Sequence, residues 1–591
     1  MNIGIDFGST YSMVARYNNS FNTVEAITFA EGEPASVPSV VSISKKGQVT
    51  CGKGAKDQVG KKTVRIFEAF KMLLTETNQE MLLRRGYDET YNPRYIAKCY
   101  LESLLRGVQQ RMDNDGDNCD GFENVVVCVP EIWGKKLDAL DTMDGRAILR
   151  DILKREIDIP VDDVRVITEP EAASAFIANH YEQESDRAFN GHLLLIDYGG
   201  GTLDITLTEV TSDGRGAMEI GYRDGGGAGE NHPDQRGYGN IGSAGIAYMQ
   251  DVLVRALRDQ GVLEADEVPD YASPDFTSAM RDLENQFKSV QRIQEIEDVF
   301  GTYGSYRKIR KILKEDPIPF TDLEYDGEEV EVTFQQLFQS YQAVIEQVLE
   351  EETAKINQKV SQHIGTDPCT PEAGNQDNFK IALVGGFGSF YLVKQQIAEI
   401  YQLDANPEVD LRTKHVSANK RELAISLGAA LVAAQKVVLQ RTARFSIGIY
   451  SGSQEKGEKG QLRYGIKYHQ IVEPRTPYFM CYNDDLPDVP SNRVVYGGLY
   501  GNIKSFAITF SEQRNHGGIM KLKPEILKRM AELPQEGFWN LGFSMDESDV
   551  VSFHIVPYSM AGLENHNQPI EIPLDSYIKM FDLTAIKEVT I

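Results

Sequence analysis

Two short apolar stretches, each ending in an aspartate and a glycine turn that carries hydroxyls, constrain this chain more than any other feature. The first is Ile3-Gly4-Ile5-Asp6-Phe7-Gly8-Ser9-Thr10 and the second Leu193-Leu194-Leu195-Ile196-Asp197-Tyr198-Gly199-Gly200-Gly201-Thr202. Both are too short for helices and are bounded by glycine, so they read as buried strands. Apolar and polar residues then alternate, from Tyr11 to Tyr17 and from Leu203 to Val210, which predicts a hairpin after each turn. Such a turn gathers backbone N–H groups and hydroxyls into a nest that can grip phosphate oxygens. The aspartate at its mouth can hold Mg²⁺ through the water shell, since magnesium favours one or two carboxylates together with phosphates. A single glycine turn is most often only a hairpin; two of this form predict a pair of phosphate loops. A third run, Ile381-Ala382-Leu383-Val384-Gly385-Gly386-Phe387-Gly388, ends in a Gly-Gly turn.

Helical periodicity fills the intervals, most clearly at Pro93 to Val108, Asp138 to Glu156, Ile246 to Arg258, Phe334 to Gln358 and Arg421 to Gln440. Strands alternating with helices predict α/β layers. Val125 to Pro130 and Val164 to Ile167 read as further buried strands, so the first two runs head similar βββαβα halves, a duplication of pattern. From about Thr442 the helical pattern gives way to alternating segments such as Arg493 to Tyr496, Phe506 to Phe510, Val551 to Val556 and Ile570 to Ile572.

Composition narrows the functions. With 61 Lys and Arg against 88 Asp and Glu the net charge is −27, which argues against nucleic acid as a partner. The six cysteines form no CxxC pair, so no zinc site or disulfide framework is expected. There is no apolar run of membrane-spanning length and no basic-then-apolar leader at Met1, so the expectation is a cytoplasmic protein without membrane contact. No GxxxxGK[S/T], HExxH or GxSxG motif occurs.

The two phosphate turns, Val127-Cys128-Val129-Pro130, Val166-Ile167-Thr168-Glu169-Pro170-Glu171-Ala172-Ala173, Leu383-Val384-Gly385-Gly386-Phe387 and the segment Glu422 to Ala430 occur in the order found in actin-like ATPases. In detail they resemble the heat-shock protein 70 (DnaK) family, in a divergent form, over roughly three quarters of the chain. The resemblance implies a two-lobed actin-like ATPase fold, built from duplicated ribonuclease-H-like domains and followed by a β-rich C-terminal domain. It implies lobe I at 1–190 with an insertion near 35–115, lobe II at 191–415 with an insertion near 246–330, a helix returning to lobe I at 416–440, and the β-rich domain at 441–591. ATP or ADP and Mg²⁺ are the implied cofactors, with a protein client or cochaperone as partner.

Carried over by residue, the resemblance places Asp6 and Asp197 around hydrated Mg²⁺. Gly8, Ser9, Thr10, Tyr11, Gly199, Gly200, Gly201 and Thr202 line the phosphates. Glu169 positions or deprotonates the attacking water, Gly385, Gly386 and Phe387 meet the adenosine, and Glu284 and Lys288 meet the ribose. Glu284 and Lys288 also have the spacing of an ordinary i,i+4 ion pair, and Glu169-Pro170 that of a helix start. The departures are specific. The lobe II loop is Ile241-Gly242-Ser243-Ala244-Gly245-Ile246-Ala247, without the family's acidic positions, and Phe387 and Ser389 stand where DnaK-type proteins carry Ser and Arg. The catalytic lysine has no clear counterpart: Lys71 and Arg84 are the alternatives, each also readable as a solvated cation. No apolar-acidic linker or helical lid follows Arg441, so peptide binding does not carry over.

Weaker signals have plainer readings. His232-Pro233-Asp234 matches the tripeptide of J-domain cochaperones, and Arg165 the arginine that receives it, but the tripeptide sits in a glycine-rich stretch that reads as a loop. Asp113 to Asn118 lacks the glycine of a Ca²⁺ loop. Tyr306 to Lys314 is a basic amphipathic segment, an exposed face or a docking helix. The function expected is a slow Mg-dependent ATPase acting as a chaperone-like switch. An actin-like filament or scaffold protein that binds ATP with little hydrolysis and a kinase of the sugar-kinase branch are the alternatives.

Overall fold

The computed structural model describes residues 1–130 apart from 31–33, 77–78 and 118, residues 145–402 apart from 186, 215–217, 229–243, 272 and 371–377, and residues 423–440. Beyond these it describes the backbone of strands between 447 and 590, with residues 528 and 531–532. The chain separates into two compact units, Met1–Ile132 with Arg150–Gln440, and Trp133–Leu149 with Arg441–Ile591.

Two mixed sheets organise the first unit. In the first, Asn2–Phe7 lies antiparallel to Tyr11–Asn18 and parallel to Phe122–Val129; Thr23–Ala26 and Val161–Thr168 extend the two sides, and Val37–Pro38 pairs with Tyr11–Asn18. The second repeats this around Gly191–Tyr198, antiparallel to Leu203–Ser212 and parallel to Phe379–Val384, with Met218–Ala228 as the third strand of the meander. The duplicated pattern therefore holds for four strands. The fifth differs: Val161–Thr168 follows the fourth strand of its sheet, whereas Val437–Gln440 pairs with the meander at the opposite edge. The central strands are covered on both faces, which is why Val125 to Val129 and Leu193 to Ile196 are continuous apolar runs instead of alternating ones.

That fifth strand corrects the expected helix at 421–440. The helix runs Ala424–Ala433, Gln435 then takes φ 58, and the Val437-Val438-Leu439 run pairs as a strand. Ala424–Ala433 returns to the first sheet and crosses helix Glu169–Ser185. A Cβ on Gly428 would lie 1.7 Å from the Ala172 carbonyl oxygen, so the two helices meet at backbone distance. The helix expected over 334–358 is also interrupted: it runs Phe334–Tyr341, widens to a π turn over Gln342–Glu346 and resumes at Gln347–Ile364.

Each sheet carries an insertion. The first holds a small sheet of Val49–Cys51, Val40–Ser44 and Val64–Glu68 beside helix Pro93–Asp115. The Asn92 side chain caps this helix by accepting from the Tyr95 N–H at 3.0 Å, Pro93 fixes its first turn, and Gly116 closes it in the left-handed region. The second insertion packs helices Gly245–Asp259, Pro274–Lys288 and Val290–Gly301 against the ribbon Pro319–Tyr325 and Glu328–Thr333 around Phe276, Leu283, Phe300 and Phe320. The basic segment after Ser305 is a short helix, Tyr306–Ile309, continuing as a 3₁₀ turn; Arg307 and Arg310 are paired with Glu399 and Glu346.

In the second unit the backbone forms two antiparallel sheets. One follows the order 578–582, 516–521, 505–509, 447–456, 462–472, 589–590, and the other 493–501, 538–545, 551–557, 570–573. No helix among the described residues is long and apolar enough to cross a membrane.

Candidate functional site

The duplicated strands deliver their aspartates to equivalent places. Asp6 is the penultimate residue of Asn2–Phe7 and Asp197 that of Gly191–Tyr198, and both are buried. Asp204 stands opposite Asp197 across the second hairpin, wholly buried. One Asp197 oxygen, Oδ2, is buried without a hydrogen-bond partner among the described residues. Burial, and then the charge of Glu169, push the Asp6 carboxyl up to about 7 against the pull of Lys71. Burial, and then Glu169, Asp204 and Asp6, push Asp197 well above the usual carboxylate range, again against Lys71. The floor of the site thus holds more negative charge than its own residues neutralise, an arrangement that suits a divalent cation.

Of the two basic candidates, Lys71 is placed beside the carboxylates. It lies on the 3₁₀ turn Phe70–Leu73, which follows Ala69 in the left-handed region at φ 51. Its side chain is only 2% exposed and forms an ion pair with Glu169. Burial alone would lower its pKa, but Glu169 and Asp6 reverse this and raise it, so it is a fixed ammonium and not a solvated cation. Glu169 opens helix Glu169–Ser185; the Thr168 N–H donates to Glu171 at 2.9 Å and the Glu171 N–H to the Thr168 hydroxyl at 3.3 Å, a reciprocal cap that fixes the strand-to-helix corner. The Arg84 side chain lies outside the described residues.

The two glycine turns face each other. A Cβ on Gly200 would lie 2.7 Å from Thr10 Oγ1, and one on Gly201 2.9 Å from Ser9 Oγ and 2.5 Å from the Met72 sulfur. Behind the first turn, the Ser39 hydroxyl donates to the Gly8 carbonyl at 2.7 Å and sits 2.9 Å from Ser12 Oγ. In the second, the Gly199 N–H donates to the Thr202 carbonyl at 2.9 Å. Gly385 abuts the same turn: at φ +82 its missing Cβ would fall 2.4 Å from Asp197 Oδ1, so no side chain fits there. Gly386 is open to solvent, while Phe387 joins an aromatic cluster, edge-on to Tyr198 and stacked on Phe390, each with centroids 5.3 Å away.

Tyr11, Glu284 and Lys288 come together higher in the cleft, with a fourth residue the sequence pattern did not reveal. Glu284 accepts from Lys288 at 2.6 Å, the expected i,i+4 pair, and also from Lys56 at 2.8 Å. Lys56 donates to the Tyr11 hydroxyl at 2.7 Å, and the Lys288 ammonium lies 3.3 Å from the centre of the Tyr11 ring. Against the desolvation that would raise it, Lys288 and then Lys56 hold Glu284 below the usual carboxylate range. This cluster joins the two insertions across the cleft. Asp204 and Lys56 are the residues missed by sequence reading. Asp204 had a signal, its place in the hairpin after the second turn, whereas Lys56 had none. His232 to Asp234, Ile241 to Ser243 and Glu422 lie outside the described residues; Arg165 lies on its strand beside Asp163, at 3.4 Å.

The family model described as Hsp70 protein matches residues 2–97, the stretch from the first glycine turn to the Lys71 segment and beyond. The chain is Hsp70-like and divergent. It is similar to the chaperone protein DnaK of Thermosipho melanesiensis, 24% identical over 218 residues, and to that of Nitrosopumilus maritimus, 28% identical over 221 residues. It also matches the chloroplastic heat shock 70 kDa protein 6 of Arabidopsis thaliana, 28% identical over 232 residues. Each match covers 37% of this Hsp70-like chain, which spans only 29% to 31% of the length of these relatives.

Proposed function

We propose that this Hsp70-like chain binds Mg-ATP between its two glycine turns, hydrolyses it slowly, and acts as a chaperone-like switch that reports nucleotide state to a protein client or cochaperone. The observation that carries the reading is the unbalanced carboxylate floor, Asp6, Asp197 and Asp204, set between two hydroxyl-bearing turns, with an Asp197 oxygen that has no partner of its own. Bound magnesium would supply the positive charge that the floor lacks and would neutralise phosphate oxygens. Asp6 and Asp197 would hold it. The hydroxyls of Ser9, Thr10 and Thr202 and the N–H groups of both turns would orient the phosphates, which is most of what phosphoryl transfer asks of a protein. Glu169, fixed by Lys71, would align the attacking water and accept its proton. Lys71 would add positive potential beside the transferring group.

A switch requires that nucleotide bind one arrangement of the lobes more tightly than another. Both turns, the Gly385 turn and the Lys56–Glu284 cluster contribute from opposite sides of the cleft, so affinity depends on its closure. Single-turnover hydrolysis with Mg-ATP tests the reading: Asp197→Ala and Thr202→Ala should each reduce the rate by about 10² or more. Unchanged ATP binding and turnover in both variants would overturn it.

A further inference from the structure

The basic segment Tyr306 to Lys314 reads as three tripeptides of one pattern, Tyr-Arg-Lys, Ile-Arg-Lys and Ile-Leu-Lys. Its fold uses that period. A helical turn over Tyr306–Ile309 tightens to a 3₁₀ turn over Arg310–Lys314, in which residues three apart eclipse one another. The first residue of each tripeptide, Tyr306, Ile309 and Ile312, is buried. The second edge carries Arg307 and Arg310, paired with Glu399 and Glu346, and then Leu313, 40% exposed. The third edge is a row of Lys308, Lys311 and Lys314, all exposed, which form no ion pair among the described residues. The buried edge and the two arginines already fix the segment to its neighbours, so the lysines are not needed to hold it. Their attachment points lie about 5–6 Å apart along the axis, a row of like charges open to water.

The complement of this row stands on the ribbon that follows it. Along Pro319–Tyr325 and Glu328–Thr333, Leu323 is paired with Val330 and Thr321 with Val332 on the buried side. On the outer side Asp322 stands opposite Glu331 and Glu324 opposite Glu329. All four are exposed, and none forms an ion pair among the described residues. Like charges directly opposite each other weaken a ribbon, so this face gains when a cationic surface covers it. The pleat sets its carboxylates about 6–7 Å apart along each strand and about 5 Å apart between strands, close to the spacing of the lysine row.

We propose that the row of Lys308, Lys311 and Lys314 docks on the outer face of the Asp322, Glu324, Glu329 and Glu331 ribbon of a second copy of this chain. Charge and spacing select that occupant, since the two uncompensated faces match each other and one molecule does not pair them. At a net charge of −27 two copies repel at a distance. Contact is therefore confined to the place where opposite charges meet, and a screening length of about 8 Å at physiological salt damps the rest. Leu313, on the edge beside the row, adds apolar area to the contact. Each copy offers both a row and a ribbon face, so the contact is returned within a pair or passed on head to tail.

The test is sedimentation velocity on the full chain without nucleotide, so it does not depend on the nucleotide reading. The wild type should pass from monomer to larger species as concentration rises through about 1–100 µM at about 0.15 M salt, and return to monomer at about 1 M. A variant combining Lys308→Gln, Lys311→Gln and Lys314→Gln should associate about tenfold or more weakly. Two charge reversals sharpen the test: Lys308→Glu, Lys311→Glu and Lys314→Glu in one chain, and Asp322→Lys, Glu324→Lys, Glu329→Lys and Glu331→Lys in another. Each should stay monomeric alone, yet the two should associate when mixed, because every row then meets a ribbon of opposite charge. Circular-dichroism melts like the wild type's establish that each variant is folded. A wild type that stays monomeric throughout, undiminished association of the folded glutamine variant, association that persists at high salt, or folded reversed chains that ignore each other overturns the proposal.

Discussion

The floor and the rim of the cleft handle charge in opposite ways. On the floor, Asp6, Asp197 and Asp204 crowd around Glu169 and Lys71, and the Asp6 and Asp197 carboxyls are pushed upward. On the rim, Glu284 sits between two ammonium groups that also engage Tyr11, and its carboxyl is pushed downward. A rim balanced in this way is a structural contact between lobes. A floor left unbalanced is stability given up, which on the proposed function leaves charge for a cation arriving with a ligand to neutralise.

Removing the floor's own cation has the largest expected effect. Lys71→Ala leaves Glu169 buried and unpaired and should cost about 3–5 kcal/mol in denaturant unfolding, with Glu169→Ala added to it recovering most of the loss. Gly385→Ala tests the floor's geometry: the new methyl meets Asp197 in a backbone conformation alanine resists, at a cost of about 1–3 kcal/mol. If Mg-ATP binds as proposed it should raise the wild-type Tm, and this variant should lose that rise. On the rim, Lys56→Met should cost only about 1 kcal/mol, because Lys288 still pairs with Glu284. Its cost should fall in high salt.

The smallest effect is one of pH. Desolvation within the cleft, and then Glu284, push Glu68 up to about 7 from 4.5, against Lys56 and Arg281, although its side chain still meets solvent. The folded chain thus holds this proton more tightly than the unfolded one, so this group's contribution to stability falls as pH rises from about 4.5 through about 7. Thermal melts across that range should show a shallower decline in Glu68→Gln. An unchanged slope would mean that the rim is balanced without this carboxylate.

What the sequence disclosed depends on how far its signals reach. Asp6 and Asp197 could be placed because a strand, an aspartate and a glycine turn are adjacent in the chain. Lys71 stayed ambiguous because its meaning comes from Glu169, 98 positions away, and Lys56 went unnoticed because its partner Glu284 is 228 away. Val437–Gln440 passed for helix because the alanine-rich Ala424–Ala433 supplies apolar residues up to its edge, and four residues are too few to show a period of two. The interrupted helix near Gln342 was invisible because a π turn keeps the composition of the helix around it.

The crossing of Ala424–Ala433 over Glu169–Ser185, where Gly428 touches the Ala172 carbonyl, has a mechanical consequence. Interlocked long side chains would make two such helices move in steps, one tooth at a time, as each side chain cleared its groove. At this point backbone meets backbone instead, so only glycine fits at position 428, and a leucine there would wedge the two helices apart.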